Sequence, residues 1–311
     1  MKILTLILLA AGLADAEIPL EEVSLDRPGL TLHATLYQPA GARDLVVIHA
    51  GSGPTDRHGN QPSMHNDSLK LLAEGLAERG VAVLAVDKRG VGQSVMPTDE
   101  RALRPSVFIA DLVAWAEWAG ARNPDWPVHL LGHSEGALFA KAAAGRADAA
   151  SVISLAGAGR PIGVVLREQT EGKRPGKIGE DFERILSSLE AGQQVAEIPP
   201  MFNALFRPSI QPYLIEWLAM DPAALAADLE TPLLVIGGGT DIQAGRADFN
   251  ALGHQATRAE WIDGMNHVLK AVEGDITAQL PSYTNPDLPL HPALVPLLAE
   301  WIERIGNPGR E

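Results

Sequence analysis

The sequence predicts an α/β fold built on a mostly parallel, doubly wound sheet. Two observations carry this expectation: short runs that are apolar throughout, and amphipathic segments that alternate with them. Residues 45–48, 81–86, 128–131, 151–155 and 233–236 form the apolar runs. A strand of that kind suits a sheet covered by helices on both faces. Residues 67–79, 107–122 and 135–147 repeat apolar side chains at helical spacing between those runs. Strands and helices in such alternation wind about a parallel sheet. The first strands differ, because residues 22–25 and 30–37 alternate apolar and polar side chains around Pro28-Gly29. They read as an antiparallel pair at a sheet edge.

The alternation breaks between Gly159 and Thr231. Helical patches at residues 182–189 and 213–218 fall there, with no clear buried strand. A structureless loop of that length is improbable in a compact domain. The stretch therefore reads as a helical cap inserted at about residues 160–229, placed to shape a pocket above the sheet. A purely structural helical layer is the alternative.

The N-terminus has the design of a secretory signal peptide: Lys2, an apolar run at residues 3–13, then Ala14-Asp15-Ala16 as a small-x-small cleavage site. The run is too short to stay in a bilayer as a spanning helix. The expectation is a signal peptide at 1–16, cleaved after Ala16, and a mature domain at 17–311 that is exported to the periplasm or secreted, without a stable membrane anchor. The absence of cysteine excludes thiol catalysis, cysteine zinc sites and cysteine redox motifs. A core of this size can be stable without disulfides. Acidic side chains outnumber basic ones, 39 to 25, for a formal net charge of −14. With no basic patch or run, nucleic acid is not an expected partner.

The chemistry concentrates in Gly132-His133-Ser134-Glu135-Gly136, a G-x-S-x-G pentapeptide between an apolar run and a helix-prone stretch. That context is what a nucleophile elbow requires. A serine hydroxyl attacks well only when a sharp turn exposes it beside a base and under oxyanion donors. If Ser134 is the nucleophile, an acid and then a histidine should follow it in the chain. His33, His49, His58, His65, His129 and His133 all precede it. His254 closes a predicted helix and His291 opens the last one, positions suited to surface or packing roles. His267, in the loop that follows the strand-like residues 259–262, is the candidate base. Asp241 stands just past the buried run 233–236 and its glycines, and is the candidate acid that would hold the His267 tautomer. Asp263 is its competitor, and a solvated turn is the more economical reading of that residue.

An oxyanion hole needs two backbone N–H groups aimed at one point. Glu135 supplies one candidate, directly after the nucleophile, and the glycine-rich turn 49–54 supplies the other. Ser52 is preferred there and Gly51 stands second, because the register of the turn is open by one residue. The Glu135 carboxylate either anchors the elbow or a cap residue, or is a solvated group at the start of a helix.

Gly51-Ser52-Gly53-Pro54-Thr55-Asp56-Arg57-His58-Gly59-Asn60 resembles the GSGPTDRDGN signature of a group of bacterial α/β-hydrolase serine esterases, departing from it at His58. The turn Asp87-Lys88-Arg89-Gly90-Val91-Gly92-Gln93-Ser94 is similar to that group's D-x-R-G-x-G-x-S turn. Gln211-Pro212-Tyr213 with Asp221-Pro222 resembles its cap, Asp241-Ile242-Gln243 its acid loop, and Gly264-Met265-Asn266-His267 its histidine loop. The resemblance covers most of the mature chain. It implies the α/β-hydrolase fold and carboxylesterase activity on short or medium acyl esters, with Ser134, Asp241 and His267 as the triad. Asp56 and Arg57 are expected to hold the oxyanion loop, and Asp87 and Arg89 to tie their own turn.

The leading expectation is thus a serine hydrolase that acts through an acyl-enzyme on a small-molecule ester and needs neither cofactor nor metal. A peptidase, thioesterase or lactonase on the same machinery is the runner-up. An aminopeptidase would need acids for the substrate ammonium, and Glu168, Glu171, Glu180 and Asp181 in the cap are its candidates. A binding protein that keeps the fold without catalysis is a third possibility, disfavoured because no triad residue type is missing.

Overall fold

The computed structural model describes residues 18–96, 99–170, 172 and 175–307. The signal peptide expected at 1–16, the first mature residue Glu17 and the cap candidate Glu171 lie outside the described residues. The strands are β1 (Leu20–Arg27), β2 (Leu30–Tyr37), β3 (Leu45–His49), β4 (Ala82–Val86), β5 (Val128–His133), β6 (Ser151–Leu155), β7 (Leu233–Gly238) and β8 (Arg258–Ile262). They form one eight-stranded sheet in the order β1-β2-β4-β3-β5-β6-β7-β8. β1 and β2 pair antiparallel, and β2 meets β4 antiparallel. Every pair from β4 across to β8 is parallel.

The helices are α1 (Ser68–Glu78), α2 (Pro105–Arg122), α3 (Glu135–Ala143), α4 (Ile162–Thr170), α5 (Lys177–Glu190), α6 (Asn203–Phe206), α7 (Gln211–Leu218), α8 (Pro222–Ala227), α9 (Arg246–Gly253), α10 (Ile276–Gln279) and α11 (Leu294–Gly306). The side chains of β3 show why its run is apolar throughout. Leu45 and Val47 join the core that holds Trp115 of α2 and Phe139 of α3, whereas Val46 and Ile48 join Leu72 of α1 and Trp301 of α11 on the other face. Both faces of this strand are therefore covered, and alternation has no role in it.

From β3 the chain crosses to β4 on one side and then returns to β5 on the other. Loops diverge at such a reversal and leave a crevice at the carboxyl ends of the strands. The register pairs His49 with Gly132, so the loop after β3 lies beside the turn after β5. Between β6 and β7 the described residues hold α4 to α8 and no strand. Phe182, Ile185, Leu186 and Leu189 of α5 pack with Phe202, Phe206 and Leu214 into a small core of their own.

Several boundaries differ from the sequence reading. α2 begins at Pro105, where a proline costs nothing because the first helical N–H has no intrahelical partner. α3 ends at Ala143, short of the amphipathic pattern that runs to residue 147. β5 continues to His133, paired with Leu155, where the sequence reading stopped at Leu131. His291 does not open the last helix, which starts at Leu294. Its Nδ1 instead accepts the Ala293 N–H at 3.3 Å.

A second Asp–His–Ser array lies at the opposite end of the sheet. His129 Nδ1 is 2.7 Å from Ser151 Oγ and its Nε2 is 3.4 Å from Asp44, while Trp301 Nε1 donates to Ser151 Oγ at 3.0 Å. His129 and Ser151 are fully buried near the amino ends of β5 and β6, so the array fastens α11 to the sheet.

Lys141 on α3 is buried with one neutral partner, the Ala137 carbonyl at 2.9 Å. Burial pushes its ammonium down to about 7. Because the unfolded chain holds that proton more tightly, the lysine destabilises the fold most below about pH 7, and the penalty fades as pH rises toward the ordinary lysine range. Lys141→Met should stabilise the protein by on the order of 2 kcal/mol at pH 6. Urea unfolding should show that gain shrinking between pH 7 and 10; a gain that does not change with pH would contradict a buried ammonium.

Candidate active site

Ser134 sits between β5 and α3 at φ 55° and ψ −121°, outside the regions that L-residues favour. Its neighbours permit the turn only as glycines. A Cβ on Gly132 would lie 2.0 Å from the Gly136 carbonyl oxygen, and one on Gly136 would lie 2.3 Å from the His49 carbonyl oxygen. The Ser134 N–H donates to the Leu155 carbonyl at 2.9 Å, which ties the elbow to β6.

Three of the residues singled out from sequence meet here. Ser134 Oγ is 3.1 Å from His267 Nε2, and His267 Nδ1 is 2.8 Å from Asp241 Oδ2. Asp241 follows β7, and its Oδ1 accepts the N–H groups of Gln243 at 2.7 Å and Ala244 at 2.9 Å. Burial pushes the Asp241 carboxyl upward, but His267 and those two N–H groups outweigh it and leave the group below its ordinary value. Asp263 is exposed in the turn after β8. His254 is exposed at the C-cap of α9.

The loop after β3 is held from several sides. Gly51 lies against the serine, since a Cβ there would stand 2.9 Å from Ser134 Cβ. Ser52 is exposed and lines the cavity above the site. Asp56 Oδ1 accepts the N–H groups of His58 and Asn60, each at 2.9 Å. Arg57 donates to Asp87 at 2.7 Å and to Glu22 and Thr35, each at 2.8 Å. Asp87 also accepts the Gln93 N–H of its own turn at 2.8 Å. Arg89 departs from the expectation that it ties this turn: it forks onto Asp111 of α2 at 2.8 and 2.9 Å, a planar pairing that a buried carboxylate favours. Glu135 is buried, not solvated, and its Oε1 accepts the Tyr213 hydroxyl of α7 at 2.6 Å. Burial raises its carboxyl while Lys88 opposes the rise.

Two residues near the serine were not singled out from sequence. His133 is buried with Nε2 at 2.8 Å from the His267 carbonyl. A carbonyl can only accept, so Nε2 carries the proton. Burial, and then the neighbouring His267, push His133 down to about 4, which keeps the ring neutral as a fixed support for the His267 loop. Its place directly before Ser134 is the signal that could have found it. The other is Lys88, just past β4, whose Nζ donates to the carbonyls of Gly51 and Gly53. A lysine two residues past an all-apolar strand is conspicuous, but the sequence says nothing of where its ammonium lands.

A cavity of about 830 Å³ opens over Ser134 and His267. Phe108, Phe139, and Leu214 and Trp217 of α7 are among the residues that line it. Its arginines are already engaged: Arg89 with Asp111, Arg160 with Asp248 at 3.0 Å, and Arg207 with Glu100.

The strand order, the reversal at β3 and the turn that carries Ser134 define the α/β-hydrolase fold. Residues 62–170 match the family described as "Serine aminopeptidase, S33". The chain is similar to Esterase EstD of Thermotoga maritima, at 29% identity over 262 residues, covering 83% of this chain and 62% of that protein. It thus spans under two thirds of that relative's length. Among solved structures, Est1E of Butyrivibrio proteoclasticus with bound ferulic acid superposes with a TM-score of 0.59 at 17% identity, covering 91% of this chain and 96% of that one. The α/β hydrolase GrgF of Penicillium sp. sh18 superposes with a TM-score of 0.60 at 17% identity, covering 93% and 99%. At such identity these likenesses speak for the fold alone.

Proposed function

We propose that the protein is a serine carboxylesterase that hydrolyses short or medium acyl esters through an acyl-enzyme. The observation that carries this reading is His267 standing between Ser134 at 3.1 Å and Asp241 at 2.8 Å on the floor of a largely apolar cavity. Ser134 attacks the ester carbonyl while His267 Nε2 takes its proton, and Asp241 holds the proton on Nδ1 and stabilises the imidazolium. The imidazolium then protonates the leaving alcohol, and a water activated by the same ring releases the acid. The name of the Thermotoga relative supports an ester as substrate.

An ester is also favoured over an aminopeptidase substrate by the cavity wall. Among the described residues, none of Glu168, Glu180 and Asp181 lines it. Glu168 turns to Arg160 at 2.5 Å and Asp181 to Arg184 at 3.3 Å. The carboxylates that do line it, Glu100 and Glu135, are taken by Arg207 with Ser209 and by Tyr213. Among the described residues, a free α-ammonium would therefore have to compete with those partners for a carboxylate. The apolar start at 1–16 supports export before the chain acts.

A p-nitrophenyl ester series of increasing acyl length, run beside an aminoacyl arylamide, tests the reading. The expected result is ester turnover with an optimum at short or medium chains and little turnover of the arylamide. Turnover of the arylamide alone would transfer the assignment to a peptidase.

A further inference from the structure

We infer that Lys88 is a positioning residue of the oxyanion hole, which clamps the Gly51–Ser52 peptide so that the Ser52 N–H faces the reacting carbonyl. The inference rests on the esterase reading and deepens it. Lys88 is 5% exposed and reaches from the end of β4 under the loop that follows β3. Its Nζ donates to the Gly51 carbonyl and, at 2.8 Å, to the Gly53 carbonyl. The first belongs to the peptide that carries the Ser52 N–H, the second to the peptide between Gly53 and Pro54. The peptides described are all trans, so the Gly51 carbonyl and the Ser52 N–H point in opposite directions. With the carbonyl drawn down to Lys88, the N–H turns away from it.

The alternative donor, the Gly51 N–H, belongs to the peptide before. The carbonyl of that peptide, Ala50, lies 2.9 Å from His49 Nδ1 and packs against Gly136. The two linked peptides are therefore held separately, and Lys88 holds the one that carries Ser52.

A clamp has a physical purpose at this place. Thr55 Oγ1 donates to the Ser52 carbonyl at 2.8 Å and holds the peptide after Ser52, but the glycine before it would leave the Gly51–Ser52 peptide free to flip without a partner on its carbonyl. An oxyanion donor contributes only when its orientation is set before the charge develops. Among the side chains, an ammonium with several donors and no acceptor suits the task of gathering two carbonyls. Burial pushes its ammonium down to about 8 and Glu135 across the elbow opposes that fall, while His49 and His133, which it also faces, stay neutral. Burying a lysine costs stability, and a methionine would fill the space more cheaply if only packing were at stake.

Lys88→Met, Lys88→Gln and Lys88→Arg are compared with wild type and Ser134→Ala on the best ester of the series. Ser134-dependent turnover by wild type is read first, and its absence would overturn the esterase reading itself. Given that turnover, Lys88→Met should lower kcat by about 10²-fold with KM within about threefold. A trifluoromethyl ketone with the same acyl chain, which adds to the serine as a tetrahedral oxyanion, should lose affinity by a similar factor. The matching carboxylic acid, which forms no such adduct, should bind the variant as it binds wild type. Lys88→Arg, which can reach both carbonyls, should recover most of kcat. If the methionine variant does not fold, Lys88→Gln carries the same comparison with a shorter, uncharged amide in place of the ammonium. A folded variant with kcat within about threefold of wild type, or a loss confined to KM with ketone affinity intact, would overturn the inference.

Discussion

Alanine at Ser134 should leave a folded protein whose ester turnover is at least about 10⁴-fold below wild type. The expected fold is wild-type because the hydroxyl makes one side-chain hydrogen bond, to His267 at 3.1 Å, while the N–H that ties the elbow to Leu155 is untouched. Alanine also carries no more at Cβ than serine does, so the turn at φ 55° gains no new clash. What disappears is the atom proposed to form the acyl bond. Residual turnover over water should survive, because the proposed oxyanion donors and the cavity are left intact. Thermal unfolding within a few degrees of wild type, together with loss of fluorophosphonate labelling, would complete the result. A variant that retained more than about a tenth of the activity would remove Ser134 from the proposed role.

Asp241→Asn should cost about 10⁴-fold in kcat, through a tautomer rather than through lost packing. The carboxylate accepts from His267 Nδ1 with one oxygen and from the Gln243 and Ala244 N–H groups with the other. An asparagine that keeps its oxygen on those two N–H groups must turn its amide N–H₂ toward His267. Nδ1 then has to accept, the proton moves to Nε2, and the face toward Ser134 can no longer take a proton. The loop should stay in place, so stability should change far less than rate. Asp263→Asn is the matched control. That residue is exposed in its turn, and its variant should stay within about twofold of wild type. A larger loss at Asp263 than at Asp241 would reverse the assignment of the acid.

The local code of this chain is legible because burial leaves its mark on composition. Residues 45–48 are apolar at every position because β3 has a core on each side. Residues 30–37 alternate because Leu30, Leu32, Ala34 and Leu36 share the face that meets the main core, while Thr35 on the other face serves polar partners. The elbow is legible for a steric reason: a strand that turns directly into a helix around a serine brings backbone to within contact of Gly132 and Gly136. Helix ends were less so. The pattern after Ala143 stays amphipathic although the helix has stopped, since apolar residues serve a packed turn as well as a helix.

By itself the sequence determined which residue types could do the chemistry and in what chain order: a serine in G-x-S-x-G, a later aspartate after a buried strand, a later histidine in a loop. That order set His129 aside, because it precedes Ser134, and nothing in the sequence joined it to Asp44 and Ser151. Only the tertiary structure decided that Asp241, His267 and Ser134 meet under a cavity at the carboxyl ends of the strands, while Asp44, His129 and Ser151 are sealed near the other end. It alone turned Arg89 onto α2, the Glu135 carboxylate onto Tyr213, and the Lys88 ammonium onto two glycine carbonyls. The reason is physical. Apolar burial is set by neighbours a few residues away and is written in the local pattern, whereas the partner of a buried charge is chosen by whichever polar group the fold carries within hydrogen-bond reach.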